Sequence, residues 1–265
     1  MVERYVIRGG KAGYDRLQLL AQERWPDTEA LFQRVGLTSG MRCVDLGCGG
    51  GEVTFEIARL VGPGGLAVGI DMDDVKLELG RQAAAAKDIR NVEFKSLNLN
   101  EWSDPGAYDV AYCRFVLQHL ARPVELLRRM WDSARPGGAV VVEDADFDGW
   151  SCDPPNAGFE FFLRTYSEVI RRRGGDHAVG RKLLRYFRSA GIREPAIHAA
   201  QPIYLGGPGK TIALSTLDAA TEAILSEGIA SEEDLRDALA SLAQFTNEPQ
   251  TFIVGPRIFQ LWARR

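Results

Sequence analysis

The chain has 265 residues, 45% of them hydrophobic and 26% charged. These are the proportions of a globular protein with one large domain, or one domain carrying a sizeable insertion. The formal net charge of −4 argues against a general nucleic-acid or anionic-membrane surface, which needs clustered positive charge. No apolar run approaches the ~20 residues that span a bilayer.

From Ala12 to Val35 the pattern is helical, with Leu17, Leu20 and Ala21 on one face. Pro26 suits a first helical turn, which predicts a second helix ending before Gly36. Short apolar runs then alternate with helical stretches. The runs are "MRCVDLG", "LAVGID", "NVEFKS", "YDVAYC" and "GAVVVED"; between them lie "EVTFEIARLV", "DVKLELGRQAAAAK" and "PVELLRRMWDSAR". Such alternation predicts an α/β fold with a doubly wound parallel sheet, covered on both faces. Beyond Asp148 the alternation fails. Helices are expected in "FEFFLRTYSEVIRRR", "KLLRYFRSAG", Leu214 to Ser226 and Glu232 to Phe245, and strands in "EPAIHAAQPIYL" and the closing "PQTFIVGPRIFQLWARR". The N-terminus "MVERYVIRGG" lacks the apolar stretch of a secretory signal. The four cysteines, Cys43, Cys48, Cys113 and Cys152, show no metal-ligand spacing. Both features fit a cytoplasmic protein with reduced thiols and no metal site.

The stretch "VDLGCGGGEVT" places four glycines in five positions directly after the first strand. The dinucleotide fingerprint G-x-G-x-x-G needs a third glycine for close packing beside a pyrophosphate. Gly47 and Gly49 fit it, but the third position is Glu52. Asp45 and Glu52 flank the turn, and like charges ~4 Å apart cost on the order of 4 kcal/mol at an effective dielectric of 20. A cofactor that is cationic overall turns the same charges to advantage. S-adenosylmethionine carries a sulfonium and an ammonium against one carboxylate, and no phosphate. The second strand ends in Asp71, an acid placed to accept hydrogen bonds from ribose hydroxyls in either cofactor.

Residues 41 to 144 resemble the core of class I S-adenosylmethionine-dependent methyltransferases. The segments "VDLGCGGGE", "VGIDMDD", "VEFKSLNLNEW", "YDVAYCRFVLQHL" and "LLRRMWDSARPGGAVVVED" follow in family order and spacing. The arm "YVIRGGKAGYDRLQLL" is similar to a bacterial subgroup that tailors small molecules and antibiotics. The resemblance implies a Rossmann-like, doubly wound, mostly parallel seven-stranded sheet with N-terminal helices and a helical cap. It divides the chain into an N-terminal arm (1–36), a cofactor-binding core (37–148), and cap insertions with the last two strands (149–265). It further implies that Gly47, Cys48 and Gly49 pass under the methionine end of the cofactor, with Asp45 near its ammonium. Asp71 would hold the ribose, and Met72 would pack on the adenine. Asn98, followed by Leu99, stands where the family commonly has an Asp bonded to the adenine amino group; its amide carbonyl can still accept that bond. Arg114 would sit beside the methionine moiety.

Other residues carry two readings each. Gly50 and Gly51 permit the turn with or without a ligand contact. Arg16 and Tyr5 reach toward the cofactor from the arm, or else belong to a solvated helix face and to ordinary packing. His119, past the fourth strand, is a candidate general base if its pKa is ordinary; its other reading is a loop support. His177 and His198 read as structural, and "RRR" at 171–173 as charge complementing a helix terminus. "DPPN" at 153–156 lies after the wrong strand for a nucleobase motif and reads as a turn. Phe147 and Trp150, nearest the end of the fifth strand within an aromatic cluster, are candidates for contact with the methyl acceptor. The expected function is methyl transfer to a small-molecule acceptor, oxygen preferred over nitrogen or carbon, with a homodimer left open. The alternatives are an S-adenosylmethionine-binding protein without transfer and an NAD-dependent oxidoreductase.

Overall fold

The computed structural model describes residues 10–265. In chain order its first half runs α1 (Gly10–Val35), β1 (Arg42–Leu46), α2 (Glu52–Val61), β2 (Leu66–Asp71), α3 (Asp74–Ala86), β3 (Val92–Ser96), β4 (Tyr108–Arg114), α4 (Pro123–Ser133) and β5 (Ala134–Asp146). The second half runs β6 (Ser151–Asp153), α5 (Ala157–Arg172), α6 (Leu183–Ser189), β7 (Ala196–Ala200), β8 (Ile203–Tyr204), α7 (Ile212–Ser226), α8 (Glu232–Asn247), β9 (Phe252–Val254) and β10 (Arg257–Arg264). Seven strands form one sheet in the order β3-β2-β1-β4-β5-β10-β7, with β10 antiparallel to both neighbours. The winding reverses between β1 and β4. At such a switch point an open α/β sheet leaves a crevice beyond its C-terminal strand ends.

Side-chain alternation along the strands explains the two covered faces. Val44, Leu46, Val68, Ile70, Ala111, Cys113, Val140 and Val142 join the core beneath α4 and α6. Their neighbours Cys43, Ala67, Val110, Tyr112, Ala139 and Val141 join the core beneath α1 and α2. Burial on both faces makes these strands read as continuous apolar runs.

Helices α5, α7 and α8 pack on one another over the far end of the sheet, around Phe159, Phe162, Leu217 and Leu242. Their starts are fixed locally. Asn156 accepts the Phe159 N–H at 2.9 Å, and Ser231 with Asp234 forms a capping box on α8.

Three expectations change. Pro26 does not open a second helix but lies inside α1. Its missing N–H leaves the Gln22 carbonyl without an intrahelical donor. Both residues are exposed, so water can take that bond, while buried Leu31, Phe32 and Val35 hold the second half in line. The strand expected in "EPAIHAAQPIYL" divides at Pro202, and the closing strand divides at Gly255–Pro256. Proline cannot donate to a ladder, so the short pieces β8 and β9 instead join β6 in a separate three-stranded sheet. No described helix is long and apolar enough to cross a membrane.

Candidate active site

The glycine turn after β1 is shaped by its own hydrogen bonds. Gly47, Gly49 and Gly51 have φ of 72°, 58° and 88°, the left-handed region that favours glycine. A Cβ on Gly47 would lie 2.5 Å from Val116 Cγ2, and one on Gly49 2.8 Å from Leu17 Cδ1. The end of β4 and helix α1 therefore press on the turn from two sides. The Gly47 and Cys48 N–H groups donate to the Ile70 carbonyl at 2.7 and 3.1 Å, and that of Gly51 to the Cys48 carbonyl at 3.0 Å. The Gly49 N–H donates to Asp71 Oδ2 at 2.8 Å. These four donors point into the protein, and none is offered to a pyrophosphate.

Two acidic groups flank the turn, Asp45 buried and Glu52 half-buried. Asp45 accepts the Thr54 hydroxyl at 2.7 Å, and burial pushes its carboxyl up to about 6 despite that bond and Arg114. Burial pushes Glu52 up to about 7, and its Oε1 is buried without a hydrogen-bond partner. An anion here would be repelled, and a cation would draw both carboxyls into their ionised form. Burial raises the Cys48 thiol well above its ordinary value, which makes it a poor nucleophile. At the end of β2, Asp71 also accepts the Asp73 N–H on Oδ1 at 3.0 Å. Each carboxylate oxygen has capacity for a further hydroxyl donor. Beside it Met72 is 49% exposed, and Asn98 Oδ1 accepts the Asn100 N–H at 2.9 Å.

A cavity of about 1180 Å³ opens over these groups, between the switch point and the cap. Arg16, Asp45, Gly47, Cys48, Gly49, Asp71, Met72, Asn98, Leu99, Arg114, His119, Phe147 and Trp150 all line it. Tyr5 lies outside the described residues. A pocket for one drug-sized ligand holds roughly 300–1,000 Å³, so this one has space for a second molecule. The wall away from the turn is aromatic and aliphatic: Phe115, Phe147, Trp150 and Tyr166 with Ile212, Ala219 and Ala223. Phe147 stacks on Tyr166 at 5.4 Å and meets Trp150 at 5.6 Å.

A family model described as a methyltransferase domain matches residues 37–169, half of the chain. The chain belongs to the class I S-adenosylmethionine-dependent methyltransferases. It is 31% identical over 134 residues to a ubiquinone biosynthesis O-methyltransferase of Acinetobacter baumannii, a match covering 50% of this chain and 55% of that protein. It is 29% identical over 189 residues to an uncharacterised protein from a Streptomyces fradiae transposon, covering 69% and 54% respectively. The chain thus spans about half the length of the curated relatives it matches. Its fold is that of phosphoethanolamine N-methyltransferase 2 of Haemonchus contortus, solved with S-adenosylmethionine, at a TM-score of 0.58 and 16% identity; that match covers 91% of this chain and 52% of the other.

The residues of this chain fit the family's cofactor. The inward-turned amides and the two protonatable carboxyls suit a sulfonium and an ammonium, and Asp71 suits a ribose. Arg114 is held for its place by groups that the sequence reading missed. Its Nη1 donates to Thr28 Oγ1 at 3.2 Å, and Thr28 in turn donates to buried Glu143 Oε1 at 2.9 Å. Tyr112 and Gln260 donate to the same carboxylate, each at 2.7 Å. Arg16 Nε donates to Thr216 Oγ1 at 3.2 Å, tying α1 to α7.

His119 differs from its expected form. Burial, followed by the charges of Arg16, Lys76 and Arg173, lowers its pKa to about 3. The premise of a histidine near its ordinary pKa therefore fails, and at neutral pH the ring is uncharged and weakly basic. Arg172 and Arg173 also line the cavity, and their charge is engaged by protein: Arg172 pairs with Glu168, and Arg173 Nε lies 2.7 Å from Glu227 Oε1. His177 supports the aromatic wall through its carbonyl, which accepts the Phe147 N–H at 3.0 Å.

Proposed function

We propose that this methyltransferase transfers the methyl group of S-adenosylmethionine to a hydroxyl oxygen of a small, largely apolar acceptor, by in-line displacement beneath the helical cap. The observation that carries this reading is a single cavity with two unlike halves, one acidic and hydrogen-bonding, the other aromatic. The relative with a ubiquinone biosynthesis O-methyltransferase name supports oxygen and a small molecule.

When bound, the cofactor supplies an electrophilic methyl group on a good leaving group. Asp45 and Glu52 balance its positive charge, Asp71 receives the ribose hydroxyls, and Met72 and Leu99 flank the adenine. Asn98 accepts from the adenine amino group, and Arg114 holds the methionine end. Phe147 and Trp150 confine the acceptor and keep water out. Alignment of this kind is worth up to roughly 7–11 kcal/mol, so no catalytic triad is required. The weakly basic His119 draws little of the acceptor's proton at neutral pH. The site therefore suits an acidic hydroxyl that ionises readily, such as a phenol or enol.

The test is thermal unfolding with S-adenosylhomocysteine or NAD, then mass spectrometry after incubation with S-adenosylmethionine and a panel of phenols. At 100 times its dissociation constant the homocysteine product adds about 2.7 kcal/mol, or roughly 5–10 °C for a domain of this size. A shift with that ligand and a methylated phenol are expected. A shift with NAD alone would sink the reading. Binding without turnover on any acceptor would leave a cofactor-binding protein that transfers nothing.

A further inference from the structure

Phe115 stands where two cavities meet. It lines the large one and, with Leu20, Trp150 and Ile212, also lines a second, largely apolar void of about 30 Å³ that extends toward Tyr204 and Ile253. Its φ is 57°, in the left-handed region where a bulky residue is a genuine outlier. The surroundings hold it there. Its N–H donates to the Glu143 carbonyl at 2.9 Å, and its own carbonyl accepts from Gln118 Nε2 at 3.3 Å. The Arg114 guanidinium lies 5.6 Å from the centre of its ring. One residue further on, Val116 is the side chain that a Cβ on Gly47 would strike. Phe115 thus sits between the glycine turn and the aromatic wall.

Glycine would adopt this backbone at no steric cost. A phenyl ring kept here against its preference, at the edge of a site, points to a use for the ring. We propose that Phe115 is the specificity gate of the acceptor site. A flat, neutral aromatic acceptor stacks against its ring beside the methyl donor, and the same ring shuts off the second void and so sets how large an acceptor is taken. The proposal rests on the methyl-transfer reading above.

The protein loaded with S-adenosylhomocysteine is titrated by calorimetry with phenol, 1-naphthol and 2-anthrol, neutral aromatic alcohols of one, two and three rings. Wild type is compared with Phe115→Ala, Phe115→Gly and Phe115→Tyr. A methylene-sized change in an apolar pocket shifts discrimination about tenfold or more. Accordingly, the preference for three rings over one should rise at least about tenfold in the alanine and glycine variants and hold in the tyrosine variant. The glycine variant keeps the test open if alanine fails to fold, because glycine accepts the positive φ. An unchanged preference in a folded glycine variant overturns the gate alone. Wild type that binds the homocysteine product but none of the three probes overturns the aromatic acceptor and the gate with it. Failure to bind the product overturns the methyl-transfer reading beneath both.

Discussion

The two halves of the cavity are built by different means. The half proposed for the cofactor comes from short segments at the ends of adjacent strands, residues 45–54, 71–76, 98–99 and 114. It is fixed by hydrogen bonds such as Gly49 N–H to Asp71 and Thr54 to Asp45. The half proposed for the acceptor is gathered from α1, the ends of β4 and β5, α5 and α7, and it is held by packing. Hydrogen bonds demand particular residues at particular spacings. Packing asks only for volume and shape, and many aromatic side chains can supply either.

If that contrast is correct, substitutions on the two sides should fail in different ways. Phe147→Ala removes a buried ring from the cap core and should cost about 3–5 kcal/mol of stability by chemical denaturation, while product affinity changes by less than about threefold. A large loss of affinity would mean that the halves are not separate. Asp71→Ala should act chiefly on affinity. Losing two charge-assisted hydrogen bonds, each worth about 1.5–3 kcal/mol, should weaken S-adenosylhomocysteine binding about 100-fold or more by calorimetry. Unchanged affinity would remove the ribose assignment.

A smaller effect separates substrate from product by charge. Asp45 and Glu52, raised to about 6 and about 7, hold protons in the unliganded protein at mildly acidic pH. The sulfonium of S-adenosylmethionine favours their ionised form, and its product lacks that charge. Each pH unit below the raised pKa costs the cation about 1.4 kcal/mol per proton to be displaced. The ratio of substrate to product affinity should therefore rise by up to about 100-fold from pH 5.5 to 7.5, and Glu52→Gln should flatten most of the rise. A ratio independent of pH in wild type would mean that neither carboxyl senses the sulfonium. The same raised values make the unliganded protein less stable as pH climbs from the ordinary carboxyl range toward about 7, because the folded state holds these protons longer than the unfolded chain. The smallest expected effect is on the adenine side. Asn98→Asp replaces a neutral acceptor with a charged one and should tighten product binding a few-fold; weaker binding would place the adenine amino group elsewhere.

The same contrast explains what could be read from the amino-acid order. The alternation of β1 to β5 with α2 to α4 was legible, because each strand carries its apolar run between turn residues. The acidic turn and Asp71 were legible, because their chemistry lies within a few residues. Pro26 misled: the helix carries it at an exposed position, with exposed Gln22 one turn earlier and buried Leu31, Phe32 and Val35 beyond. The depressed pKa of His119 was out of reach, since it comes first from burial and then from charges on α1, on α3 and at the end of α5. Phe115 stood in plain view after Arg114, yet nothing in "CRFV" tells that its backbone is left-handed. Nor does spacing tie Thr28 to Glu143 beneath Arg114, across 115 positions.

Helix α1 belongs to both halves. Leu17 and Tyr14 lie against Gly49 and Gly50 of the turn, and Arg16 is bonded to Thr216 of the cap. A molecule that occupies the turn would lie against this helix, and the aromatic wall lines the same cavity. The consequence is kinetic. The cofactor should load first and its spent form leave last, so S-adenosylhomocysteine should inhibit competitively against S-adenosylmethionine and non-competitively against the acceptor.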